Sequence, residues 1–418
     1  MTMLVTAALF QAISTRAAEP IKAPEPDRFP LMPCAFNAEA LLGNRTLDQA
    51  VFLEMKECGF NIAGFALSRA ELDEIHAAGM VAYYCAPELR HMNWADPNTE
   101  NYPDIVERMV AEVGDHPALY GYFLADEPNV SLFANQVKML ELIRQAAPDK
   151  HVYVNLLPNY APLEAIGTQS YREYLDRFIR DYRPERLGLD YYALMHWKDR
   201  QKLQGDYWLN LEEAREASLA AGIPLAMCTL AIPHLYYRQP TEDDLYFEVF
   251  SALLYGVQGF DFFTYFTPDS VFGYRQGPIN EFGRKTPTWY ALQNVLSTVH
   301  VIADLCSKLQ SSRVYHIPQV PAEKGTRPAD KNTLIASFDC DPEFRFAVGE
   351  FKHTETGDTY VMIMNKNLDF TRFFGTINWN RKPSKIETFN QRTGKLRPFR
   401  TDEGFLPPGK AVILKLTF

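Results

Sequence analysis

The run Asp126-Glu127-Pro128-Asn129 closes an apolar stretch, Leu119 to Ala125, and is the sharpest chemical signal in the chain. Read as a strand, the stretch has a period of two that places Gly121, Phe123, Ala125 and Glu127 on one face and Tyr122, Leu124 and Asp126 on the other. A carboxyl at the end of an apolar wall loses solvation, so its pKa rises and it can act as a general acid near neutral pH. Other apolar runs end in similar groups: Asn37 and Glu39; Glu88, Arg90, His91 and Trp94; Asn155 and Asn159; Asp190-Tyr191-Tyr192 with His196 and Trp197; His234, Tyr236 and Tyr237; Asp261 and Tyr265. Carboxylates, amides, phenols and indoles suit a hydroxyl-rich ligand, whose hydroxyls need donors and acceptors and whose ring faces need aromatic platforms. Asp190 lies inside an apolar run, an expensive place for an unpaired charge. It is the leading candidate for a second carboxylate, ahead of Asp126 and Asp261. The remaining set, Asn155, Tyr192, Trp94, Trp197, Tyr236 and Tyr265, together with Asp126 and Asp261, is expected to bind substrate. No motif supports a Ser–His nucleophile. The six cysteines show no C-x-x-C pair and the nine histidines are scattered, so no metal and no cofactor is implied.

Those groups need elements to hold them. Apolar runs at 31–37, 60–67, 80–86, 119–127, 151–158, 186–194, 223–231 and 258–266 read as strands, with helical patterns at 46–58, 69–78, 102–114, 131–147, 170–182, 210–221, 241–256 and 287–309. Helix starts are marked by Thr46 and Asp48, by Ser68 ahead of Glu71, and by Thr241 ahead of three acidic residues; Gly59, Gly79 and Gly222 mark ends. Eight strand–helix repeats spell a (β/α)8 TIM barrel, whose chemistry sits at the carboxyl ends of its strands. The alternative, a doubly wound open sheet, would carry a glycine-rich phosphate loop after its first strand, and none is present. From 312 onward the helical period disappears. Strand-like runs at 344–352, 359–365, 371–378, 385–389 and 411–417 predict a small antiparallel β-sandwich.

The 418 residues are 47% hydrophobic and 22% charged, with a net charge of −10. That balance excludes a disordered chain, and the absence of a basic cluster excludes a nucleic-acid surface. Residues 3–13, apolar but too short to span a bilayer, precede a small-residue run and a proline-rich stretch, as in a secretory leader. The expected organisation is a leader at 1–24, a barrel at 25–311 and a sandwich at 312–418, in a secreted or periplasmic protein without a transmembrane segment.

The segment His116 to Tyr122 running into Asp126-Glu127-Pro128-Asn129 resembles the fourth-strand region of clan A glycoside hydrolases. Leu254 to Phe260 leading to Tyr265, and Gly283 to Tyr290, are similar to the eighth-strand entry and the loop into the last helix of such enzymes. The resemblance implies a carbohydrate substrate, hydrolysis of glycosidic bonds and Glu127 as general acid/base. Two departures stand out. Asp126 precedes the Glu where that clan usually has Asn, which is similar to the Asp-Glu pair of substrate-assisted hexosaminidases. The seventh-strand run Met227 to Ala231 lacks the nucleophilic Glu. That absence sets the alternative, a non-catalytic carbohydrate-binding protein on a degenerate barrel.

Overall fold

The structure, a computed structural model, describes residues 23–34, 47–197, 200–268, 272–318 and 322–418. The leader segment through residue 22, Asn37 and Glu39 lie outside the described residues. Among the described residues ten strands precede residue 264: β1 (Leu31–Pro33), β2 (Ile62–Ala66), β3 (Val81–Tyr84), β4 (Leu119–Asp126), β5 (His151–Asn155), β6 (Leu187–Asp190), β7 (Leu194–Trp197), β8 (Arg200–Leu203), β9 (Leu225–Leu230) and β10 (Val257–Phe263). Eight of them form two four-stranded parallel sheets, in the orders β2-β3-β4-β5 and β1-β10-β9-β6. Backbone hydrogen bonds bridge both pairs of edges. Leu156 N donates to Gly188 O (3.1 Å) and Asp190 N to Leu156 O (3.2 Å) at one edge, and Asn61 N donates to Leu31 O (3.0 Å) at the other.

Local sequence sets the helices between the strands. Asp48, Ser68 and Ser170 each accept a hydrogen bond from a first-turn amide, and Thr241 closes a full capping box with Asp244. Gly59 and Gly222 end their helices in the left-handed conformation, at φ 117° and 69°. The outer faces of the strands pack on these helices. Their inner faces meet in a separate cluster, Met32, Ile62, Phe65, Tyr83, Cys85 and Phe123, with Tyr153 against it. The antiparallel hairpin β7–β8 was not expected; it interrupts the path from β6 to the helix Tyr207–Ala221. No described helix is long and apolar enough to cross a membrane.

The C-terminal part is an antiparallel β domain. Its six-stranded sheet runs in the order Leu309–Ile317, Phe346–His353, Thr359–Asn365, Ala411–Thr417, Lys385–Asn390, Lys395–Pro398. Alternation divides its side chains cleanly. Ala347, Phe351, Met362, Met364, Ala411 and Ile413 join the core shared with the helices, whereas Val348, Val361, Ile363, Val412 and Leu414 pack with Ile335, Phe338, Phe374 and Leu406 on the other face. The approach to the helix Glu242–Leu254 is close. A Cβ on Gly349 would lie 2.8 Å from Leu254 O, so only glycine fits there.

Candidate active site

The chemistry-bearing groups gather where β4, β5 and β6 end. In β4 the expected alternation breaks. Phe123 pairs with Tyr153, but the next partner of Val154 is Ala125, so one extra residue bulges out between them. Leu124 and Ala125 therefore both pack toward the helices, and Asp126, not Ala125, turns to the inner face opposite Asn155. The strand parity that had aimed Glu127 inward is thus corrected. Glu127 is presented instead by a turn at φ 46°, its amide held by Asn155 O at 2.8 Å. Non-glycine residues rarely adopt this backbone region, and when they do they cluster at functional sites.

Three carboxyl groups share the cleft. Asp126 Oδ1 accepts a hydrogen bond from Asn155 Nδ2 (3.1 Å), and Asn155 is itself buried. The Asp190 carboxyl, 4% exposed, lies beside that of Glu127 and the Tyr192 hydroxyl. Its Oδ1 has no hydrogen-bond partner. Asp126 and Glu127 open to solvent at the mouth but are hemmed in by protein on their other sides. Burial raises all three pKa values. The charge of Asp126 adds to the rise at Glu127, and the charges of Glu127 and Asp126 add to that at Asp190, which is held well above the carboxylate range. Two carboxyls in contact cannot both ionise cheaply. Burial and the neighbouring charges favour the neutral acid more strongly at Asp190 than at Glu127.

Aromatic rings wall this cleft. Tyr192 stacks on Phe263 with centroids 5.7 Å apart and meets Tyr237 edge-on at 5.5 Å and His234 at 6.0 Å. The Tyr160 and Tyr237 hydroxyls are 3.4 Å apart. Burial lowers the His234 pKa, so that ring stays neutral. Tyr160 and Tyr274 belong to this wall, and sequence reasoning passed over both; the sequence marked Tyr160 only as the neighbour of Asn159 and gave no signal for Tyr274, which reaches Phe263 through the fold.

The other expected residues scatter. Tyr236 is exposed beside the cleft, on a loop paired to β7. Trp197 lies on β7 with its side chain outside the described residues. Trp94 packs edge-on against Tyr102 at the start of the helix Tyr102–Val113. Tyr265 is fully buried on the helix side, where its hydroxyl accepts from Trp289 Nε1 at 2.9 Å. Asp261 aligns with Cys228, as Asp190 does, yet it opens to a different space. It lines a cavity of about 150 Å³ at the amino ends of the strands with His151, Glu185 and Arg186, and accepts a hydrogen bond from Tyr153 Oη at 2.9 Å. The Cys34 and Cys228 thiols, in contact with each other, and Tyr153 stand between Asp261 and the other acids. β9 carries no carboxylate. Buried Glu248 approaches its outer side near Thr229 and the buried Arg238–Asp244 ion pair, away from the cleft. Among the described residues no cluster of His, Cys, Asp and Glu is placed to hold a metal ion.

No family model and no curated protein sequence matches the chain. Solved structures do match it. A glycoside hydrolase aligns at TM-score 0.55 and 10% sequence identity, covering 93% of this chain and 92% of its own. The β-galactosidases of the psychrophilic Marinomonas ef1 and of Rahnella sp. R3 each align at TM-score 0.50 and 10% identity, covering 67% and 68% of this chain. This chain spans 62% and 58% of their respective lengths. The likeness is one of fold.

Proposed function

We propose that this chain hydrolyses glycosidic bonds of an oligo- or polysaccharide, that its two parallel sheets make one closed (β/α)8 barrel, and that Glu127 is its general acid/base. The observation that carries the reading is the cluster of Asp126, Glu127 and Asp190 at the strand ends, with raised pKa values and a ring-lined opening. The fold shared with glycoside hydrolases supports it. In this reading Glu127, at the mouth, passes a proton to the glycosidic oxygen as the bond to the anomeric carbon breaks. Asp190 resupplies that proton. Water adds to the anomeric carbon and returns a proton to the carboxylates, so the sum is one water consumed and two hydroxyls formed.

The test uses paired substrates, a panel of disaccharides and the matching 4-nitrophenyl glycosides. Glu127→Gln should lose at least ~10²-fold in turnover on disaccharides, the typical share of general acid catalysis. It should lose much less on 4-nitrophenyl glycosides, whose leaving group needs no proton. Asp190→Asn should follow the same pattern more weakly. Equal losses on both substrate types would refute the acid role.

One observation favours a second reading, a carbohydrate-binding protein without turnover. β9 has no carboxylate to serve as the second group opposite Glu127. Glycan binding with no hydrolysis of any substrate in the panel would decide for it.

A further inference from the structure

The ring wall of the cleft does not stop at its rim. From Tyr192, which touches Asp190, ring contacts run to His234, on to Tyr274 at 4.7 Å, and from Tyr274 to Phe272 at 6.2 Å. At this outer end, large apolar side chains face water: Leu235 is 60% exposed, Tyr236 66% and Phe272 52%. They lie together, because Leu235 N donates to Phe272 O at 3.1 Å. Contiguous exposed apolar surface of this kind marks interaction sites. Leu235 is also a branched residue held at φ 46°, in backbone space that a side chain seldom occupies. The loop is nevertheless fixed. His196 N of β7 donates to Tyr236 O at 2.8 Å, and Tyr237 bridges Met195. The patch is thus held by backbone hydrogen bonds and joined to the carboxyl cluster through edge-on and tilted ring contacts. It offers two flat rings and one branched hydrocarbon, surface that a flat apolar group can cover.

We propose that Leu235, Tyr236 and Phe272 form an acceptor platform for a flat apolar aglycone, which makes aryl glycosides the substrate class of this site. The assignment rests on the glycosidase reading for its catalytic meaning, but the platform binds an aryl group whether or not the bond is cleaved. The ring of the aglycone lies over Tyr236 and Phe272 with Leu235 against its edge, and the glycosidic oxygen then faces Glu127.

The probe is 4-methylumbelliferone, a free aglycone with no sugar, titrated into the full chain and followed by its fluorescence. The wild type should bind it saturably. Leu235→Asn with Tyr236→Ser should weaken binding about tenfold, the scale of losing one aromatic contact with its apolar burial. Asn suits the left-handed backbone at 235, and both side chains are exposed, so the fold should persist, as an unchanged melting temperature would show. Glu127→Gln should bind the probe as the wild type does. Absent or unsaturable binding, or unaltered binding in the loop variant, overturns the platform. Probe binding that fails while Glu127→Gln still loses disaccharide turnover leaves the glycosidase reading standing. A wild type that self-associates in sedimentation, and whose loop variant is monomeric without loss of probe binding, assigns the patch to a second copy of the chain and overturns the proposal.

Discussion

Replacing Asp261 by asparagine separates a structural carboxyl from one that touches substrate. Asp261 is 6% exposed, receives the Tyr153 hydroxyl and lies within the field of Arg186. Burial dominates these favourable partners and pushes its carboxyl from an ordinary 3.8 up to about 7. Folding therefore tightens its hold on a proton. The stability this contributes is whole below pH 3.8 and is lost as pH rises to about 7. At 1.36 kcal/mol per pH unit the loss comes to about 4 kcal/mol. In Asp261→Asn the amide keeps an oxygen for Tyr153 and an N–H where the acid proton sat, but it has no proton to lose. In urea titrations the variant's advantage over the wild type should therefore grow by about 3 kcal/mol between about pH 4.5 and pH 7, then level off. KM measured near the acid end should stay within about twofold, because the Cys34–Cys228–Tyr153 layer screens Asp261 from the cleft. Parallel stability curves together with a KM raised tenfold or more would refute the reasoning and return Asp261 to the binding site.

Two further outcomes follow. Glu248, buried behind β9 and pushed up to about 8, should behave alike with a later onset: Glu248→Gln should match the wild type near pH 5 and melt at a clearly higher temperature above pH 8, and coincident melting curves across that range would contradict its burial as a neutral acid. A chain ending at Ser311 should aggregate instead of losing turnover selectively, because the shared core would lose Val314, Ala347, Phe351, Met362, Met364 and Ile413; a soluble, active fragment in size-exclusion chromatography would contradict this.

The alternation of strands and helices was legible in the sequence because its signals are local. A capping Ser68 or Thr241 and a terminal Gly59 act within one turn, whatever the rest of the chain does. The bulge in β4 left no such signal. Phe123, Leu124 and Ala125 are all apolar, so a one-residue slip keeps the hydrophobic pattern while exchanging Asp126 for Ala125 on the inner face. The hairpin β7–β8 escaped for a related reason, since Leu194 to Leu203 holds no glycine turn and its strands pair with each other and with the distant Tyr237. Tyr265 was misplaced because β10 ends at Phe263, so the period of two had no force two residues later. Asp261 and Asp190 occupy matching register positions, and only the packing of Cys34, Cys228 and Tyr153 between them separates their roles.

The sequence offers Glu127 and Asp190 as carboxylates of separate runs, whereas the structure sets them side by side, and that changes the physical basis of the role proposed for Glu127. An isolated carboxyl as open to water as Glu127 would be ionised at neutral pH and useless as an acid. In the proposed reading Asp190 supplies a reservoir: the deeper group, 4% exposed and beside the charges of Glu127 and Asp126, is biased toward its neutral form. The outer group is the one a ligand can reach. A sugar entering the mouth would displace water from Glu127, raise its proton affinity further by desolvation, and draw the shared proton outward toward the glycosidic oxygen. In the proposed reading the two residues share the acid function, with Tyr192 beside Asp190 and Asn155 fixing Asp126. The bulge is what permits this arrangement. Regular pairing through β4 would have sent Asp126 outward and carried Glu127 along the inner face, away from the turn that now presses it against Asp190.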